Sequence, residues 1–316
     1  MSAVFPWHAA EWAELGEILV RGRLGHALLL HGPAGWGKGV FARQFARRLL
    51  GLSCGSFDTA AAGLESADSD LLAHPDARVV TREPAPTSGR LRTQITVDQI
   101  RELASFLAQT SGSGGRRVVV LERAEELNVN AANALLKSLE EPGADTHLLL
   151  VSDAPSRTLA TIRSRCQMRP LMPGTAAQAS RWLSAHLPEK DVPALLALAG
   201  GAPLSALDLH ALNGVDLARS VDRALREGRV AELVEMPGRL DPDEQRARAQ
   251  RIVDFLYRAL ARRIRANAEG TPALGEHRLL DRVLAARRML ASTSNPNVTL
   301  LLEDLLLPLG RDPRAR

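Results

Sequence analysis

Cysteine, lysine and long apolar runs are scarce in this chain of 316 residues. Only Cys54 and Cys166 are cysteines, which excludes a disulfide scaffold and a four-cysteine zinc site, so we expect no bound metal. No apolar run approaches the roughly 18–20 residues that cross a bilayer. The first eleven residues also lack the basic and apolar regions of a signal peptide. These absences predict a cytoplasmic protein with no membrane partner.

Arginine supplies nearly all of the positive charge, because only Lys38, Lys137 and Lys190 are lysines among 40 basic residues. The net charge of +4 permits contact with a polyanion but does not require one, since a modest positive charge also favours solubility. A lysine retained in so arginine-rich a chain suggests that an ammonium group is needed at its position. Lys38 and Lys137 both lie in the motifs described below.

Apolar runs and helix-periodic segments alternate over the first half of the chain. Five short runs have the composition of buried strands: residues 26–31, 78–81, 118–121, 147–152 and 167–171. Strands that alternate with helices predict an α/β fold, with a parallel sheet covered on both faces. From Thr175 onward only helical patterns occur, and Gly200-Gly201-Ala202-Pro203 separates a small helical unit from a larger one.

A P-loop motif lies between the first strand and its helix, in the sequence Gly32-Pro33-Ala34-Gly35-Trp36-Gly37-Lys38-Gly39. The glycines let backbone N–H groups surround a phosphate, and the lysine reaches the terminal phosphates. The candidate nucleotide-binding residues are Gly32, Gly35, Gly37 and Lys38. The eighth position should carry a hydroxyl for Mg²⁺. Gly39 has no side chain, so we expect at most weakly bound ATP or ADP.

The acidic site that follows the third strand is also altered. An ATPase of this class places an aspartate there for the metal and then a glutamate that activates water, whereas this chain has Glu122 and Arg123. A guanidinium group cannot act as a base near neutral pH. Both residues are therefore interpreted as polar residues at the exit of a strand, although Glu122 retains a carboxylate that could meet a metal.

Two segments carry a family resemblance: Asn130–Pro142, which contains Leu-Leu-Lys-Ser-Leu-Glu-Glu-Pro, and Thr161–Gln167, which contains Ser-Arg-Cys. They resemble the clamp-loader branch of the AAA+ ATPases, and within it the family of delta-prime subunits of bacterial DNA polymerase III. Pro6-Trp7, His74–Asp76 and Asn297–Leu307 are similar to that family too. The resemblance spans most of the chain and is strongest between residues 26 and 167.

The resemblance implies three domains. They are a AAA+ P-loop domain with five parallel strands over residues 1–172, a small helical lid over 173–208, and an all-α collar for oligomerisation over 209–316. In the family, ATP-binding gamma/tau subunits, delta and delta-prime together open the ring-shaped beta clamp and load it on primed DNA. The delta-prime subunit does not hydrolyse ATP and acts as a stator. Its Ser-Arg-Cys motif lends an arginine to the ATP site of the adjacent subunit, and Arg165 matches that arginine here.

The chain departs from the family pattern at three places. Many delta-prime subunits carry a four-cysteine zinc module after the P-loop helix, where this chain has Cys54 alone. Gly39 replaces the metal-binding hydroxyl. Gly200-Gly201-Ala202-Pro203-Leu204 occupies the place where active relatives have a sensor arginine. Together these losses argue against hydrolysis.

Alternative interpretations remain open from sequence. The chain could be an active DNA-dependent AAA+ motor subunit of the same assembly, or a nucleotide-regulated scaffold outside replication. Arg165 could be a solvated or helix-capping residue, and Arg163 is a second, weaker candidate for the trans role. Six arginines near the C-terminus form either the polar face of a collar helix or a DNA contact: Arg246, Arg248, Arg251, Arg258, Arg262 and Arg263.

Overall fold

The computed structural model describes residues 4–54, 69–85, 91–109, 115–227, 233, 242–266, 274–291 and 296–311. Contacts between Cα atoms divide the chain into two compact units. The first comprises residues 1–196 and 201–207, and the second comprises residues 197–200 and 208–316. The three-domain division at residues 172 and 208 stays a prediction.

The first unit is built on five parallel strands in the order β2-β3-β4-β1-β5. The strands are β1 (Ala27–His31), β2 (Ala77–Val80), β3 (Arg117–Leu121), β4 (Thr146–Ser152) and β5 (Gln167–Pro170). Strand β1 lies between β4 and β5, so the loops that follow β1 and β4 are neighbours. Because the central strands are covered on both faces, their sequences are continuous apolar runs. Leu28–Leu30 and Val118–Leu121 are at most 1% exposed.

Helices surround this sheet in the order expected from the alternating pattern. They are α1 (Ala9–Val20), α2 (Lys38–Leu49), α3 (Ser69–Ala73), α4 (Val97–Ala108), α5 (Val129–Glu140), α6 (Ala160–Arg163), α7 (Ala176–Ser184), α8 (Val192–Leu198) and α9 (Pro203–Ala211). A capping box stabilises the start of α4, with the Thr96 amide donating to Gln99 Oε1 at 3.1 Å. Helix α5 ends at Glu140, two residues before the proline that stops it.

The second unit is helical over its described residues. It contains α10 (Gly214–Glu227), α11 (Pro242–Ala266), α12 (Leu274–Ala291) and α13 (Val298–Arg311). The long helix α11 packs against the other three and buries Ile252, Val253 and Leu256 completely. The prediction of a five-stranded parallel sheet followed by an all-helical region is therefore confirmed over the described residues.

No single described helix is long and apolar enough to span a bilayer. A sharply bent pair, Val192–Leu198 with Pro203–Ala211, meets the length and composition criteria only when its two helices are taken together.

Candidate functional site

The P-loop connects the end of β1 to the first residue of α2, as predicted. Gly35 and Gly37 have left-handed backbones, with φ of 75° and 84°. Space is also restricted at both positions. A Cβ atom at Gly37 would lie 2.3 Å from the ring of Phe5, and one at Gly35 would lie 2.1 Å from Ser205 Oγ. Conformation and packing therefore both require glycine at these two positions.

The segment without the sensor arginine lies directly against this loop. The Leu204 amide donates to the Gly35 carbonyl at 3.1 Å. Ala202, which is 5% exposed, would contact any side chain added at Gly35. The place where active relatives have an arginine thus contributes small and apolar contacts to the loop here, and no guanidinium group from it approaches the phosphate-binding turn.

Lys38 is already paired within the chain. Its side chain is 3% exposed, and Nζ lies 2.5 Å from Asp153 Oδ1 and 2.5 Å from the Pro33 carbonyl oxygen. Asp153 follows β4, which is hydrogen-bonded to β1, so the sheet itself brings this carboxylate to the P-loop. The positive charge that a P-loop offers to a phosphate is neutralised by an internal carboxylate.

The metal position of the site is changed in two ways. Gly39 supplies no oxygen ligand, and a Cβ atom there would lie 3.1 Å from Glu122 Oε1. Arg43 is bound to that same carboxylate oxygen, with Nε at 2.9 Å and Nη2 at 2.7 Å. Mg²⁺ needs a set of oxygen ligands in octahedral geometry. Here the one carboxylate at the position is bound to a guanidinium group.

The position of the water-activating glutamate is occupied by Arg123, whose backbone is left-handed with φ of 55°. Its Nη1 atom lies 2.7 Å from Glu126 Oε1. The neighbouring Glu125 instead accepts a hydrogen bond from the Asp153 amide at 3.2 Å, which ties the loop after β3 to the loop after β4. Glu125 thus connects two loops, and Glu126 forms an ion pair with Arg123.

An aromatic cluster joins the N-terminal segment to the P-loop and to α7. Trp7 stacks on Phe5 with ring centroids 5.0 Å apart, and it meets Trp36 and Trp182 edge-on. The Trp7 indole N–H donates to the Trp36 carbonyl at 2.9 Å. Because Trp36 is a P-loop residue, these contacts hold the loop against the N-terminal segment.

Two histidines near Lys38 are held neutral. Burial, and to a smaller extent the charge of Lys38, lowers the pKa of His8 to about 4. His8 is 1% exposed, and neither ring nitrogen has a hydrogen-bond partner among the described residues. Burial and then Lys38 also lower the pKa of His31, the last residue of β1. Neither histidine adds a positive charge to the P-loop near neutral pH.

Arg165 lies between α6 and β5, with its side chain 35% exposed. Its Nε and Nη2 atoms lie 2.7 and 2.5 Å from Glu140 Oε1, and Nη1 donates to the Thr161 carbonyl at 3.0 Å. Its neighbour Cys166 is buried, and burial raises the pKa of that thiol to about 12. The motif thus pairs a buried, protonated thiol that anchors the turn with an arginine at the surface.

Arg163 has a different environment. Its Nη1 atom donates to the carbonyls of Pro155 at 2.9 Å and Thr158 at 2.7 Å, and it lies 3.4 Å from that of Ser156. These contacts hold the turn after β4 through Nη1.

The arginines predicted near the C-terminus lie on α11, and several of them bond to other helices. Arg246 Nη2 donates to the Leu290 carbonyl at 2.6 Å, and Arg263 Nη1 to the Leu225 carbonyl at 3.4 Å. Burial lowers the pKa of Arg251 and Arg258. The side chain of Arg262 lies outside the described residues, and Arg248 is half-buried. At least part of this set therefore packs the helical unit together.

The segment where relatives carry a zinc module falls largely outside the described residues, since 55–68 are not described. Cys54 lies next to this gap, and its Sγ atom is 3.8 Å from the Gln44 carbonyl. Across the described ranges, no group of three or more histidine, cysteine, aspartate or glutamate side chains is arranged to hold a metal ion.

Three site residues were not identified from sequence: Asp153, Arg43 and Glu140. Asp153 had a usable signal, since it is the first residue after an apolar strand and such positions collect functional groups in parallel sheets. Arg43 had none, because arginines are common on exposed helix faces. Glu140 lies in the Asn130–Pro142 motif, but the motif does not indicate its pairing with Arg165.

Comparison with known proteins gives one consistent result. The family model described as DNA polymerase III, delta subunit, matches residues 7–174. "DNA polymerase III subunit delta'" of Pseudomonas aeruginosa is 48% identical over 217 residues, which cover 66% of this chain and 62% of that protein. The protein of the same name from Yersinia pestis is 32% identical over 270 residues, 81% of this chain and 76% of its own length. The alignment thus spans about three-fifths of the Pseudomonas relative.

A solved structure extends the similarity in fold to the C-terminal helices. A DNA polymerase III gamma-subunit-related protein from Thermotoga maritima covers 96% of this chain with a TM-score of 0.59, at 16% identity. At that identity the likeness concerns the fold alone.

Proposed function

Because the chain belongs to the DNA polymerase III delta-prime family, we propose that it is a cytoplasmic, non-hydrolysing stator subunit of a sliding-clamp loader that lends Arg165 to the ATP site of a neighbouring subunit. Its proposed partners are gamma/tau and delta subunits, and through the complex the beta clamp and primed DNA. The observation that carries the proposal is the internal pairing of the ATPase machinery. Lys38 is bound to Asp153, and Glu122 is bound to Arg43.

Three requirements for hydrolysis are unmet in this site. A hydrolysing P-loop needs a free cation for the phosphates, a hydroxyl and an acid for Mg²⁺, and a base for water. Lys38 is neutralised, Gly39 has no hydroxyl, and Arg123 is a cation at the base position. The alternative of an active motor subunit would need these features restored together, so the pairings favour the stator.

The trans role of Arg165 is supported by its exposure and by its chemistry. A guanidinium group that reaches a γ-phosphate neutralises charge in the transition state, and such fingers contribute about 10³–10⁵ in rate. Arg165 is the surface arginine of the Ser-Arg-Cys motif, on a turn anchored by a buried thiol. It can supply that charge to a partner without any catalysis in its own P-loop.

The first experiment measures ATP hydrolysis by the isolated chain, with and without primed DNA. We expect no DNA-stimulated turnover above background. A rate on the order of 1 per second, within the usual range for enzymes, would contradict the stator role.

The second experiment tests Arg165 in a reconstituted complex with gamma/tau and delta. We expect Arg165→Ala to reduce total ATP turnover partially, since only one of several ATP sites would receive this arginine, and to reduce loading of the beta clamp more strongly. Arg165→Lys keeps the charge but loses the planar fork, so it should resemble alanine. Arg101→Ala is the matched control, because Arg101 also pairs with a carboxylate at the surface. An intact complex with normal rates for Arg165→Ala would refute the trans role.

A further inference from the structure

The guanidinium group of Arg165 is held in one orientation within its own chain. Nε and Nη2 both contact Glu140 Oε1, and Nη1 contacts the Thr161 carbonyl, with Ser164 Oγ 3.4 Å away. Each of the three nitrogen atoms therefore has an acceptor. An exposed arginine without such contacts would sample many rotamers.

These contacts use some N–H bonds of the guanidinium group and leave others available. A guanidinium group has five N–H bonds. Glu140 accepts one from Nε and one from Nη2, and the Thr161 carbonyl accepts one from Nη1. Nη2 keeps one N–H bond beyond these contacts, and the second N–H bond of Nη1 makes only the long 3.4 Å contact with Ser164 Oγ. The carboxylate thus orients the side chain by its Nε edge while terminal N–H bonds remain for a phosphate oxygen.

Both members of the pair are attached to fixed backbone. Glu140 is the last residue of α5, directly after Leu139, which is 2% exposed. The Arg165 amide donates to the Ile162 carbonyl at 3.0 Å, and Ile162 and Cys166 are both buried. The pair therefore joins two anchored elements, and its geometry does not depend on a mobile loop.

The pair is nevertheless weak enough to rearrange. Its side chains are 49% and 35% exposed, and ion pairs at such sites contribute little to stability because water screens them. A γ-phosphate carries more charge than a carboxylate and offers several oxygens. It can therefore accept hydrogen bonds from the terminal N–H groups at little cost in free energy.

We propose that Glu140 is the positioning residue for Arg165, holding the Nε edge of the guanidinium group so that its terminal N–H bonds are pre-oriented for the phosphate of a neighbouring subunit. This inference rests on the proposed trans role of Arg165. Pre-orientation lowers the entropy lost when the phosphate binds. Removal of the carboxylate should therefore weaken the action of the arginine without abolishing it.

The test compares Glu140→Ala with Glu141→Ala in the reconstituted complex. Glu141 is the adjacent exposed carboxylate, and its side chain forms no hydrogen bond or ion pair with a described residue. We expect Glu140→Ala to slow clamp loading about three- to tenfold, the scale of a modest misplacement, and Glu141→Ala to leave it unchanged. Glu140→Gln, which keeps an acceptor oxygen, should recover part of the loss. The double variant Glu140→Ala/Arg165→Ala should be no slower than Arg165→Ala alone, because coupled residues are not additive.

A second readout uses the isolated subunit and needs no activity. The Nε–H signal of Arg165, assigned by its loss in Arg165→Lys, is expected to exchange slowly with water in the wild type. Its exchange rate should be higher in Glu140→Ala and equal to that of the wild type in Glu141→Ala. Melting temperature and complex size check that each variant folds and assembles.

The outcomes separate the two proposals. If Arg165→Ala slows loading and Glu140→Ala does not, the positioning role is wrong and the trans role stands. If Glu140→Ala accelerates loading, the carboxylate restrains Arg165, which also overturns the positioning role. If Arg165→Ala itself has no effect in an intact complex, the trans role fails and this inference fails with it.

Discussion

The ammonium group of Lys38 and the carboxylate of Asp153 lie 2.5 Å apart and connect the loop after β1 to the loop after β4. Lys38 is almost completely buried, and a buried cation is stable only when it is paired. Asp153 therefore gives Lys38 the negative partner that a phosphate provides in a nucleotide-binding P-loop. The same pairing opposes nucleotide, because an incoming phosphate must displace the carboxylate or sit beside it.

Asp153→Asn should destabilise the protein in the absence of nucleotide. Removing one partner of a buried ion pair costs about 3–5 kcal/mol, and we expect the lower end because Asp153 is 30% exposed. ADP should then raise the melting temperature of the variant more than that of the wild type, since Lys38 is free to bind a phosphate. Thermal denaturation with and without ADP measures both effects.

Asp145→Asn is the matched control for that experiment. Asp145 precedes β4 whereas Asp153 follows it, so the two carboxylates lie at opposite ends of one strand. Asp145 is exposed with φ of 52°, a conformation that asparagine tolerates. Equal responses to ADP in the two variants would show that the Lys38 pairing does not limit nucleotide binding.

Gly39→Thr should not create an ATPase. The new Cβ atom would lie 3.1 Å from Glu122 Oε1, which Arg43 already binds, so the added hydroxyl meets a carboxylate and a cation where Mg²⁺ is needed. Arg123 would still leave water without a base. Steady-state hydrolysis by Gly39→Thr should stay at background, with Gly39→Ala as the control for added bulk alone. DNA-stimulated turnover in the threonine variant would contradict this account.

Much of the first unit could be predicted from sequence because its strands are continuous apolar runs. The runs predicted for β1, β3 and β4 agree with the structure to within one residue. Helix α1 was not predicted. It contains Gly16, an unfavourable residue in a helix, and Arg48 lies so close that a Cβ atom there would contact its guanidinium group. The requirement for glycine at position 16 arises from tertiary packing, so the local sequence does not reveal it.

The candidate site residues come from sequence motifs, but their pairings do not. The P-loop glycines, Lys38 and Arg165 follow from motifs, whereas the partners Asp153 and Glu140 are 115 and 25 positions away in sequence. Lys38 meets Asp153 only because β1 lies beside β4 in the sheet. The order of strands in a sheet depends on the whole fold. The pairing of Lys38 with Asp153 therefore could not be predicted from the local sequence.

The purified protein should contain well under one zinc atom per chain. Burial raises the pKa of the Cys54 thiol, with Arg47 and Arg48 opposing that shift, and zinc requires the thiolate. His74 Nδ1 accepts a hydrogen bond from the Asp76 amide at 3.1 Å, so that nitrogen is engaged. Elemental analysis gives the metal content directly, and chelators should leave the melting temperature unchanged. Stoichiometric zinc would show that this segment holds a site of another kind.

The buried histidine His8 should make the protein sensitive to acid. Its pKa is about 4 in the folded protein, whereas an exposed histidine has a pKa of about 6.5, so between these values the unfolded chain binds the proton more readily. Its contribution to stability is complete above pH 6.5 and is lost as the pH falls from 6.5 towards 4. At about 1.4 kcal/mol per pKa unit, the loss approaches about 3 kcal/mol.

His8→Leu tests this effect, because leucine cannot take up a proton. The dependence of the unfolding free energy on pH between 6.5 and 4, measured by urea denaturation, should be shallower in His8→Leu than in the wild type. His277→Leu is the matched control, since His277 is exposed on α12 and its replacement should leave that slope unchanged. Parallel curves for the wild type and His8→Leu would show that His8 does not control the acid sensitivity.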